Sequence, residues 1–124
     1  MKTLAAILVA LSPLRAQLPL PNAAGTSAGH DIFAFHDIHP QAPVHVLVIP
    51  KGAYVSMDDF SSKASGDEIA GFFRAVGEVA RKLGLPPKGY RILANHGRDG
   101  GQEVPHFHIH IFGGRPLGRM IAAG

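Results

Sequence analysis

Hydrophobic positions along the chain follow two rhythms. Ile69, Phe72, Phe73, Val76, Val79, Ala80 and Leu83 recur every three or four residues, which places them on one face of a helix. Ser65-Gly66-Asp67-Glu68 ahead of them is a capping-box pattern, in which a hydroxyl and a carboxylate satisfy amides the helix leaves unpaired. Lys82 suits the negative end of the helix, Gly84 a left-handed cap, and Pro86-Pro87 stops continuation. The spacing predicts a helix over residues 67–83. Elsewhere the rhythm is that of strands. Residues 31–35 and the β-branched run 44–49 predict a hairpin with a long polar connection through His36-Asp37-Ile38-His39-Pro40. A third strand is expected over 90–95, a loop over 96–102, and a fourth strand over 105–112, closed by Gly113-Gly114. Strands, one long helix and strands again predict an α+β fold with a mainly antiparallel sheet.

The start of the chain has a different texture. Lys2 precedes an apolar run from Leu4 to Leu11, and Ala16 offers a small residue at a cleavage point. Residues 1–17 therefore resemble a secretory signal, although Leu14 and Arg15 suit a cut after Ala16 poorly. An apolar helix packed on the domain, or a start codon assigned too early, gives the same pattern. The run is too short for a stable membrane span. Residues 18–29, rich in Pro, Ala, Gly and Ser, read as a linker, leaving 30–124 as the domain. The expected location is cytoplasmic, or outside if residues 1–16 are removed as a signal.

Composition narrows the function. The chain has 124 residues, 46% hydrophobic and 17% charged, which suits one folded domain. Twelve basic residues face nine acidic ones, and the basic ones are scattered (Lys51, Arg74, Arg81, Arg91, Arg98, Arg115). No stripe exists for a nucleic-acid backbone, so a small anion is the better partner. The absence of cysteine excludes disulfides, thiolate zinc sites and a cysteine nucleophile. The informative excess is histidine, eight in all, with His106, His108 and His110 in one short run.

In a strand these three alternate with Phe107, Ile109 and Ile111, so the apolar set faces the core and the imidazoles form a row, neighbours about 7 Å apart. Two chemistries compete for such a row. Imidazoles bind zinc, copper and nickel, although three successive strand histidines must bend inward to share one ion. A neutral imidazole can instead attack phosphorus and form a covalent intermediate. Gly97, Gly100 and Gly101 in the preceding loop would let backbone amides converge on a phosphate. An anion cradle leading directly into the row favours the nucleophile, while spacing alone leaves both readings open.

The run His106-Phe107-His108-Ile109-His110-Ile111-Phe112 matches the His-φ-His-φ-His-φ-φ motif of the histidine triad superfamily. Gly101-Gln102-Glu103-Val104, Gly113-Gly114-Arg115-Pro116, Gly89-Tyr90-Arg91, the segment 34–38 and the segment 40–50 resemble its nucleotide-binding branch, over about residues 32–118. The resemblance implies a histidine triad α+β fold, a homodimer, a purine nucleotide substrate, and no metal or cofactor. It implies hydrolysis of nucleoside 5′-phosphoramidates or related nucleotidyl conjugates at the α-phosphate, through a nucleotidyl-histidine. His108 takes the nucleophile's position and His110 that of the contact to the α-phosphate, while His106 and His45 complete the polar network. Asn95, Gly101, Gln102 and Glu103 fall where the family cradles phosphate, Asp37 where it holds the ribose hydroxyls, and Phe35, His36 and Ile38 around the nucleoside. The alternatives are a dinucleoside-polyphosphate hydrolase or nucleotidyl transferase, or a nucleotide- or metal-binding module without turnover. Three departures from the family pattern stand out: the replaced N-terminal segment, Glu103 where some members carry serine, and no aromatic C-terminal tail.

Overall fold

The computed structural model describes residues 32–122. The expectations for residues 1–29 therefore lie outside the described residues. Four strands form one sheet: β1 (Ile32–His36), β2 (Val44–Pro50), β3 (Arg91–Leu93) and β4 (Ile109–Gly113), in the order β1-β2-β4-β3. All three pairings are antiparallel. The β1–β2 hairpin sets Ile32 against Pro50 and His36 against Val46, as the polar connection between two apolar runs predicts. Helices α1 (Met57–Lys63), α2 (Gly66–Lys82) and the single turn α3 (Gly97–Gly100) complete the fold. The architecture is α+β with an antiparallel sheet.

Helix α2 lies where the apolar spacing puts it. Ser65 accepts from the Glu68 amide and the Glu68 carboxylate accepts from the Ser65 amide, so the capping box is complete. At the other end Gly84 takes φ 73°, its amide reaching Arg81 O while the Leu85 amide reaches Ala80 O. These two bonds are a Schellman motif, and buried Leu85 supplies the hydrophobic contact that accompanies it. The buried face is Phe72, Ala75, Val76, Val79 and Ala80. Phe73 is an exception to the expected face: it is 40% exposed and meets only the edge of Phe72 within the rings described, because it sits beside the stripe rather than on it.

The sheet separates two apolar clusters. Ile32, Ala34, Val46, Val48, Ile109 and Ile111 pack with Phe72, Val76 and Val79 of α2 and with Phe60 and Phe107. On the opposite face Phe35, Leu47, Ile49 and Val104 form a smaller cluster. Helix α1, which the sequence reading left without an element, begins at Ser56, whose hydroxyl accepts from the Asp59 amide. It delivers Phe60 into the main core, stacked on Phe107 with centroids 4.7 Å apart.

The fourth strand is shorter than predicted. Residues 105–108 leave the β2 ladder, and the segment is tied elsewhere: the Phe107 amide donates to Tyr54 O at 2.7 Å and the His106 amide to Val104 O. Phe107 still enters the core with Ile109 and Ile111, so the apolar alternation survives the loss of pairing. Strand β4 ends at Gly113, where the next residue, Gly114, takes φ 93°. A Cβ at Gly113 would stand 2.7 Å from Leu85 Cδ2, so a larger residue there would have to push Leu85 from its place in the core. The third strand is likewise trimmed to Arg91–Leu93 from the expected 90–95.

Candidate active site

The site lies on the sheet face opposite α2, over the two central strands. Strand register sets Leu47 against His110 and His45 against Phe112, so these four side chains share that face. Asp37 follows β1, its amide bonded to His45 O at 2.8 Å, which keeps its carboxylate beside His45. His45 Nε2 lies 2.9 Å from His110 Nδ1 and 3.5 Å from Asp37 Oδ2. The His108 and His110 rings meet edge to face with centroids 4.9 Å apart, closer than an even strand row allows. His106 stands apart from this group: its ring is buried and bonds Pro50 O at 2.8 Å. The expected row is therefore a cluster of His45, His108 and His110, with His106 beneath it. Loss of pairing over 105–108 lets the chain turn and produces that arrangement.

These contacts fix where the ring protons sit. A carbonyl only accepts, so His106 donates from Nε2 to Pro50 O and His108 donates from Nδ1 to His106 O at 2.8 Å. Neutral His108 then has its lone pair on Nε2. The Gln41 amide donates to His45 Nδ1 at 3.1 Å, which leaves the His45 proton on Nε2, donating to His110 Nδ1. Neutral His110 must in turn hold its proton on Nε2. Burial, the neighbouring His108 and then His45 push the pKa of His110 down to about 4, against a smaller opposing pull from Asp37. Burial also lowers His45, with Asp37 opposing. Both rings are neutral near pH 7. The site thus sets a nitrogen lone pair on His108 beside an N–H donor on His110.

A metal is the competing use of such residues. Ligand atoms of Asp37, His45 and His110 lie within 4.8 Å of one another. The donor set does not fit an ion, however, because the Gln41 amide occupies His45 Nδ1 and keeps a proton on the Nε2 that would have to coordinate.

The other expected residues divide. Ile38 is exposed and Asn95 half-buried. Phe35 has no exposed surface and packs with Leu47, Ile49 and Val104 on the same sheet face as the histidines. His36 pairs with Val46 and so shares the α2 face of the sheet, away from His45 and His110. The glycine loop also differs from expectation. Residues 97–100 close into a helical turn in which three of the loop's amides are bonded within the loop: Gly97 N on Gln102 Oε1, Gly101 N on Arg98 O and Gln102 N on Gly97 O. Gln102 is a brace as well, its Nε2 donating to Val55 O and Val104 O. Glu103 and Gly101 remain exposed beside it. The residue that sequence reasoning missed is Gln41, and nothing in a side-chain pattern could reveal it, since its contribution is a backbone N–H.

A HIT domain family model matches residues 27–117. The chain belongs to the HIT family. It is 60% identical over 111 residues to a 13.2 kDa HIT-like protein of Azospirillum brasilense, covering 90% of this chain and 88% of that one. It is also similar to the purine nucleoside phosphoramidase of Escherichia coli K12, 41% identical over 91 residues, 73% of this chain and 76% of the relative. Among solved structures, a histidine triad protein from Clostridium difficile superposes with a TM-score of 0.69 at 31% identity, covering 98% of this chain and all of the other. The HIT fold expected from the motif and the observed antiparallel sheet with helices thus agree. Among the described residues no helix is long and apolar enough to cross a membrane.

Proposed function

We propose that this HIT protein hydrolyses nucleoside 5′-phosphoramidates, purines preferred, through a covalent nucleotidyl-histidine on His108. The observation that carries the reading is the His108 tautomer, because a bond from Nδ1 to His106 O leaves a lone pair on Nε2. That nitrogen attacks the α-phosphorus and the P–N bond to the leaving amine breaks, the amine departing with a proton drawn from solvent that the water of the second step returns. Water then attacks the same phosphorus, breaking the bond to His108 and releasing the nucleoside monophosphate. His110 donates from Nε2 to a phosphate oxygen in both steps, and its neutrality near pH 7 suits a donor rather than a cation. Asp37 accepts from the ribose hydroxyls, Ile38 lines the base, and Asn95 with the 101–103 segment borders the phosphates. The 41% identity to a purine nucleoside phosphoramidase supports this substrate class. No step draws on a metal or cofactor, and nucleic acid is not a partner in this reading.

A turnover panel of adenosine and guanosine phosphoramidates against dinucleoside polyphosphates tests the substrate. His108→Ala should lower turnover on the order of 10⁴-fold or more and leave nucleotide binding measurable. Intact-mass detection of a nucleotidyl adduct on the wild-type chain checks the same step. Undiminished turnover in the variant, or a preference for polyphosphates, would overturn the reading. A homodimer is part of the same proposal and is checked by light scattering of the purified chain.

A further inference from the structure

We propose that His45 reads the sugar on behalf of the phosphate chemistry, by sharing its single Nε2 proton between His110 and the ribose-binding carboxylate of Asp37. This rests on the phosphoramidase reading and adds a coupling to it. His45 cannot touch substrate: it is 2% exposed and its ring lies 4.2 Å from that of Phe112. It is a positioning residue. With Nδ1 committed to the Gln41 amide, the ring has one proton to give: it bonds His110 Nδ1 at 2.9 Å, while the Asp37 Oδ2 charge stands 3.5 Å from the same nitrogen and pulls on it. Asp37 is anchored through its other oxygen, which accepts from the His39 amide at 2.8 Å and so holds Oδ2 toward His45, leaving lone pairs on both oxygens for a sugar.

Charge and geometry then set the direction. Two ribose hydroxyls donating to the Asp37 carboxylate neutralise part of its pull on the His45 proton. The proton bond to His110 Nδ1 strengthens, and a ring that accepts more strongly at Nδ1 donates more strongly at Nε2. A correct sugar therefore improves the donor aimed at the phosphate. A nucleotide without the hydroxyls leaves Asp37 competing for the same proton.

The test compares adenosine 5′-phosphoramidate with its 2′,3′-dideoxy counterpart in the full chain. For the wild type the dideoxy substrate should lose about fivefold in kcat, the rate equivalent of about 1 kcal/mol, in addition to its loss of affinity. Asp37→Ala should abolish both differences, because ribose affinity falls to the dideoxy level and the two sugars then turn over at one common kcat. His45→Gln should abolish the kcat difference and keep the affinity difference, a split that a merely structural role would not give. Should His45→Gln fail to fold, nitrogen-15 spectra of histidine-labelled wild type serve instead. Both AMP and 2′,3′-dideoxy-AMP bring a phosphate to His110, but AMP should shift His45 Nε2 and His110 Nδ1 further than 2′,3′-dideoxy-AMP does. Equal kcat for the two sugars in the wild type, or equal shifts by the two nucleotides, would overturn the coupling. Absence of turnover with both substrates, with AMP shifting the two nitrogens as stated, would sink the phosphoramidase reading and leave the coupling standing.

Discussion

His110 ties the protonation of the site to the stability of the chain. Its pKa is pushed from 6.5 to about 4 in the folded protein, while in the unfolded chain it stays near the ordinary value. Between those values the unfolded chain binds the proton that the native one refuses, so stability is full above pH 6.5 and falls as pH drops toward 4. The loss from this ring amounts to roughly 3 kcal/mol, with His45 adding in the same direction. Urea midpoints at pH 7 and pH 4 check it, and His110→Gln should flatten that part of the slope. Proton placement is equally specific at Gln41. Replacing Gln41 by proline removes the amide that holds His45 Nδ1, so turnover should fall at least tenfold, about the worth of one lost hydrogen bond to a working ring. Gln41→Ala should leave turnover within twofold of wild type by the same steady-state assay, because the amide remains. The histidine motif was legible in the sequence, since residue type and spacing name it, whereas Asp37 came only with the family resemblance. Which nitrogen of each ring holds the proton was not, because main-chain groups at Gln41, Pro50 and His106 decide it.

Elements carry a different kind of information. Helix α2 was legible to within a residue because a capping box, an apolar stripe and a proline stop agree locally. Ser65→Ala should therefore cost about 1 kcal/mol, read as a lower thermal midpoint with unchanged turnover. Helix α1 was not legible: it buries only Phe60, and one buried residue has no period. Its value is nonetheless large. Phe60 touches Phe72, Phe107 and Tyr54, so Phe60→Ala should destabilise by about 3–5 kcal/mol in denaturant titration. The helical turn inside the 97–102 loop was not legible for a third reason. Glycines free the backbone to form a nest, but they equally free it to form a helical turn, and Gln102 tips the balance by accepting from Gly97 N. The fourth strand failed at its start because Tyr54 O, distant in sequence, captures the Phe107 amide.

At the scale of the molecule, the site rides on the two central strands β2 and β4, flanked by β1 and β3 at the edges. The family match begins at residue 27, so a chain starting at Gln17 should turn over phosphoramidates at close to the full-length rate. A truncated chain that folds without binding nucleotide would instead assign the first segment a share of the pocket. The anchoring of imidazoles by main-chain atoms also bears on how such a protein changes over generations. Side chains at 41 can drift almost freely, since any residue but proline presents the same N–H to His45. A single insertion or deletion between Asp37 and His45 would move that N–H off the ring and silence the site with every histidine still in place. The heritable record of this geometry is therefore written in the lengths of segments, where a comparison of letters would not look for it.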